Sequence, residues 1–75
     1  MLKHVQKVMD IKHSHEENWL NMEGVVAVGV GKVKGDAGII VSVDRNHQII
    51  RNQIPLLIDG IRIDVRHTGS VNVQT

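Results

Sequence analysis

"GVVAVGVGKVKGDAGIIVSVD" occupies Gly24–Asp44 and holds five of the chain's seven glycines, with Lys32 directly after Gly31. It reads either as a phosphate-cradling loop or as two strands and a turn. A P-loop needs glycine five positions before the Gly-Lys pair and a hydroxyl after it. Here those positions are Val26 and Val33. A dinucleotide fingerprint needs G-x-G-x-x-G at a strand-to-helix turn. Gly29, Gly31 and Gly35 are spaced one residue too far, and a second β-type run follows. "GDAG" at 35–38 has the form of a KH-domain loop, but it lies between strand-like runs and carries Asp36. The strand reading is better. Val26, Val28 and Val30 alternate with Ala27 and Gly29, and Ile39, Val41 and Val43 alternate with Ile40 and Ser42. Period two is the mark of a strand. The spacing predicts strands Val25–Val33 and Ile39–Arg45, paired as an antiparallel hairpin whose turn includes Gly35 and Asp36. Gly29 and Gly31 then mark a bulge, or a face that another backbone, helix or ligand approaches.

Before this stretch, residues 2–22 read as a helix. Val5, Val8, His15, Trp19 and Met22, with Ile11 or Lys12 filling the gap after Val8, recur at steps of three and four, which gathers them on one face. Gly24 reads as the C-cap. "SHEE" at 14–17 has the form of a capping box, so a break near His13 is the alternative to one continuous helix. Lysines near the start and glutamates near the end oppose the helix dipole.

After it, "RNHQIIRNQ" at 45–53 predicts a short helix with Asn46 as N-cap and Ile49 and Ile50 inward. Ile54-Pro55 ends it, because a residue before proline avoids the helical region. In "LLIDGIRIDV", Asp59-Gly60 separates two apolar runs, a strong hairpin pattern with positive φ at Gly60. Val71 and Val73 could extend an edge strand in the polar tail.

The expected product is a single α+β domain over residues 1–75, of order α-β-β-α-β-β. It comprises a helix at 1–22, a β-rich core at 24–69 and a tail at 70–75. A small antiparallel sheet of three to four strands would lie under one long N-terminal helix.

"EGVVAVGVGKVKGDAGIIVSVDR" and "IPLLIDGIRIDVRHTG" together resemble the small N-terminal module of some bacterial trypsin-like proteins and of the plant Narrow leaf 1 family. That module has a "VVGVGVG" strand, an "I-V-V-x-V" strand and an "lP…I-dG-v-x-V" hairpin, and the likeness spans residues 24–69. In that family the module precedes a serine peptidase domain. This sequence ends at Thr75 without one, so the resemblance implies the fold and not the catalysis.

Composition narrows the function classes. Without cysteine there is neither a disulfide nor a thiolate metal site. Residues 1–22 are interrupted by charges, so no signal peptide or membrane span is expected, and a cytoplasmic location is. A net charge of +1 argues against a nucleic-acid partner. The absence of Phe and Tyr removes the stacking platform of an RNA-binding sheet. Ser14, Ser42 and Ser70 are the only serines, and none lies in a G-x-S-x-G elbow. Asp59 is explained by its turn and Asp64 by a polar strand face. The expectation is therefore a protein that is not an enzyme and uses no cofactor.

His13 with Glu16 and Glu17 offers a pair of metal ligands at helical spacing, but no third ligand is placed beside them, and no metal site is expected. Arg45, Arg62 and Arg66 with Lys32 and Lys34 form a candidate basic patch for a small anionic ligand or an acidic protein partner. The candidate interface is Leu2, Val5, Val8, His15 and Trp19. A helix of twenty residues is about 30 Å long, whereas a strand of ordinary length spans about 17–20 Å. The helix should overhang the sheet, leaving Leu2, Val5 and Val8 to pack on another subunit, and Trp19 should anchor the helix within the chain. The leading expectation is a self-associating binding or assembly module. The alternative is an anion or small-nucleotide binder using the Arg/Lys face of the sheet. A metal-dependent enzyme built on His13, His15 and a carboxylate is a third, weaker reading.

Overall fold

The computed structural model describes residues 2–68, apart from the side chains of residues 2 and 3. The element order is α1 (Leu2–Leu20), β1 (Val25–Val33), β2 (Asp36–Val43), α2 (His47–Gln53), β3 (Leu57–Ile58) and β4 (Ile61–His67). This is the expected α+β order. The tail strand suggested at Val71 and Val73 lies outside the described residues.

β1 and β2 pair antiparallel from Val33↔Asp36 back to Val25↔Val43, with a bulge between Val25 and Ala27. The turn is Lys34-Gly35, both with positive φ (52° and 90°). Two such residues are what a type I′ hairpin requires. Asp36 is therefore the first residue of β2 and not part of the turn, and the strand starts three residues before the expected Ile39. Asp59 and Gly60 repeat the arrangement, with φ of 51° and 83°, between β3 and β4.

The four strands lie in the order β1-β2-β4-β3. β2 and β4 run parallel, Ile39 against Ile63 and Val41 against Val65, so the sheet is mixed and not wholly antiparallel as expected. The reason is the connection between them. The segment from α2 through β3 carries the chain back to the starting end of β2: β3 runs opposite to β4, the Asp59-Gly60 turn reverses the chain, and β4 enters in the direction of β2.

Strand periodicity assigns the two faces. Ile39, Val41 and Val43 of β2 and Ile61, Ile63 and Val65 of β4 point to one side and are buried. α1 lies over β1 and β2 on this side, and α2 packs on β4. Val8, Ile11 and Trp19 of α1 and Ile50 of α2 complete the core, with Ile54 just beyond. Ile49, expected to face inward beside Ile50, is exposed. Asn46 precedes α2 in a left-handed conformation without a side-chain cap bond; its amide donates to the Glu23 carbonyl instead (3.2 Å).

α1 is one continuous helix and has no acidic residue in its first turn or basic residue in its last. Tertiary burial of its apolar face holds it, against the helix dipole. The helix ends at Leu20, so Gly24 is not its C-cap. Gly24 has φ of 105°, and a Cβ there would lie 2.5 Å from the Arg45 carbonyl oxygen. It is the position where β1 starts against the end of β2.

Candidate functional site

The second face of the sheet carries Gly29 and Gly31 from β1, Ile40 and Ser42 from β2, and Arg62, Asp64 and Arg66 from β4. Gly31 is covered by the Ile40 side chain, whereas among the described residues nothing lies within 4 Å of where a Cβ of Gly29 would be. The expected bulge is one strand end away, at Val25–Ala27.

A cleft of about 340 Å³ opens beside β4. β4 supplies Arg62, Ile63, Asp64 and Arg66, the β1–β2 hairpin supplies Val33 and Lys34, α2 supplies Arg51, and Leu56 comes from the segment before β3. Arg62 and Arg66 share a face because they are separated by an even number of strand positions. Arg66 is oriented from two sides. Its Nε donates to Asp64 Oδ2 at 2.6 Å, and its Nη2 donates to the Lys32 carbonyl at 3.3 Å. It thereby links β4 to β1, two strands away. Among the described residues, Lys34, Arg51 and Arg62 have no carboxylate partner. Four cationic side chains thus meet one carboxylate around this space.

Of the five cations nominated from sequence, Lys34, Arg62 and Arg66 line the cleft. Lys32 contributes its backbone carbonyl. Arg45 lies elsewhere and pairs with Glu23 at 3.7 Å, both side chains exposed. Arg51 was missed. It follows the buried Ile50, and only the parallel crossover explains why the end of α2 reaches the β4 side.

The nominated interface divides differently. Val8 has no exposed surface and Trp19 very little, and both belong to the core of this chain. Val8 does not overhang the sheet. His15 is half-buried and stacks on Trp19, ring centroids 5.0 Å apart at 16°. Val5 remains 47% exposed, joined by Met9 at 47%. The side chain of Leu2 lies outside the described residues.

Three of the other histidines hold backbone. The Nε2 atoms of His4, His47 and His67 lie 3.2, 3.1 and 3.3 Å from the carbonyl oxygens of Ala37, Val65 and Asp44. Each ring donates from Nε2, because a carbonyl only accepts. Glu16 pairs with Lys12 at 3.0 Å. Among the described residues no group of three His, Asp or Glu side chains is placed to hold a metal ion, and no helix is long and apolar enough to cross a membrane.

Comparisons with protein-family models, with curated proteins and with solved structures found no match, so the resemblance over residues 24–69 rests on its motifs alone.

Proposed function

We propose that this chain is a non-catalytic binding module that takes a small anion, phosphate- or carboxylate-bearing, in the cleft beside β4. One observation carries the reading: Lys34 of the hairpin turn, Arg51 of α2 and Arg62 of β4 line the same space without carboxylate partners among the described residues, next to an Arg66 already held in place. Guanidinium groups present paired donors that match phosphate and carboxylate oxygens, and such charge-assisted bonds exceed neutral ones in strength. The cleft volume is at the small end for ligand sites, which suits a small anion or a mononucleotide. Its cations are largely solvated, so binding should weaken as salt rises.

The test is an NMR titration with inorganic phosphate and, separately, with a nucleoside monophosphate. Saturable shifts confined to the amides of residues 33–34, 51 and 62–66 are expected. Arg51→Glu should abolish them, and Arg45→Glu should leave them unchanged. Non-saturating shifts spread over the surface would sink the proposal.

A further inference from the structure

The two edges of the sheet are guarded differently. β3 is two residues long, and Pro55, which has no N–H to offer, stands just before it. Short strands and proline are ordinary devices for blunting an edge. β1 is nine residues long, has no proline, and carries Lys32 as its one charged residue. Among the described residues it pairs on one side only, with β2.

The hairpin fixes which of its backbone groups face outward. In a hairpin closed by a two-residue turn, the residues flanking the turn form a hydrogen-bonded pair, and hydrogen-bonded pairs then alternate along the ladder. Val33↔Asp36 is the flanking pair, so Gly31↔Gly38 and Gly29↔Ile40 are hydrogen-bonded too. The N–H and C=O groups of Val28 and Val30 point away from β2. The Lys32 carbonyl accepts from Arg66, so the run open to a partner ends at Val30.

We propose that β1 pairs antiparallel with β1 of a second copy of this chain, about a two-fold axis through Gly29, joining two four-stranded sheets into one. The local sequence Val28-Gly29-Val30 is symmetric about that axis. Val28 then lies opposite Val30 of the second copy, and each exchanges both of its outward backbone hydrogen bonds. Gly29 meets Gly29 of the second copy at a non-hydrogen-bonded position, where the chains approach most closely. Lys32 falls opposite Val26, not opposite another lysine, so like charges do not meet. Val26 and Val30, 51% and 41% exposed in the single chain, become covered. A strand of different sequence would lack this symmetry, which is why the partner is a second copy.

Sedimentation velocity over a concentration series tests this. The wild type should approach twice 8.4 kDa. Val30→Pro should stay at the single-chain mass with an unchanged far-UV spectrum, since proline at an edge position with an outward N–H removes no bond of its own ladder. If that variant fails to fold, Val30→Lys takes its place, because lysine guards edges without disturbing the backbone. In the wild type, exchange of the Val28 and Val30 amides should slow as concentration rises. A wild type that stays at the single-chain mass at its solubility limit overturns the proposal. So does a dimer that survives the folded variant, or one whose Val28 and Val30 amides exchange freely.

Discussion

A methyl group added at Gly38 would lie 2.6 Å from the Arg62 carbonyl oxygen and 2.9 Å from Val33 Cγ2, whereas one added at Gly29 would meet nothing within 4 Å among the described residues. Both residues sit in strands and look alike in the sequence. Gly38→Ala should cost about 1–3 kcal/mol, because backbone cannot yield as a flexible side chain can. Gly29→Ala should be neutral or stabilising by about 0.5 kcal/mol, since alanine loses less freedom on folding. Urea unfolding midpoints would separate the two, and equal costs would refute the packing at Gly38. The glycine-rich stretch was legible as a hairpin because alternation is a local property. Which glycine is tight was not, because that depends on a strand more than twenty positions away. Arg51 escaped for the same reason. The even spacing of Arg62 and Arg66 announced a shared face, but nothing near Arg51 announces a neighbour on β4.

At the scale of the element, α1 shows how a sound pattern met a wrong length. Of the apolar stripe read from its period, Val8 and Trp19 are buried, with Trp19 as the intramolecular anchor, whereas Val5 is half-exposed and Met22 lies beyond the end of the helix. The overhang fails at Val8, which is buried while Val5 stays half-exposed, because the strands are longer than ordinary. Nine and eight residues give β1 and β2 lengths of about 30 and 26 Å at roughly 3.3 Å per residue. The 19 residues of α1 span about 28 Å. The sheet therefore matches the helix in length, and His4 near the helix start still reaches Ala37 at the hairpin end. Val8→Asp should unfold the protein or cost about 3 kcal/mol or more, because it buries an unpaired carboxylate. Val5→Asp, at a half-exposed position, should change stability by no more than about 0.5 kcal/mol. Trp19→Ala should cost about 3–5 kcal/mol. Thermal denaturation followed by circular dichroism would rank the three, and a stable Val8→Asp would show that the helix does not pack as described. The mixed sheet was also within reach of the sequence. A helix after β2 followed by a tight Asp59-Gly60 hairpin leaves one arm of that hairpin running parallel to β2, and the pattern was read without that consequence.

For the whole molecule, placement of the charges matters more than their sum. The net charge of +1 conceals a cleft where four cations face one carboxylate. Raising ionic strength from about 0.01 M to about 0.15 M shortens the screening length from about 30 to about 8 Å. Phosphate binding in the cleft should weaken several-fold over that range, measurable by calorimetry, and salt-independent binding would point to a different kind of site. The parallel pairing of β2 with β4 also bears on the order of folding. The partners Ile39 and Ile63 are 24 positions apart (63 − 39), whereas Val33 and Asp36 are joined by a two-residue turn. Closing a longer loop costs more entropy before any contact rewards it, and hairpins form within microseconds. We predict that the β1–β2 hairpin is present in the folding transition state and that docking of β4 comes after it. Gly35→Val, which strains the turn, should then mainly slow folding, and Val65→Ala should mainly speed unfolding. Stopped-flow kinetics read through Trp19 fluorescence would decide, and the reverse pattern would disprove the order. In that order β2 is itself an open edge until β4 arrives, so the nascent hairpin would present both of its flanks at once. The rate of that single crossover sets how long a newly made chain is exposed to pairing with the wrong neighbour.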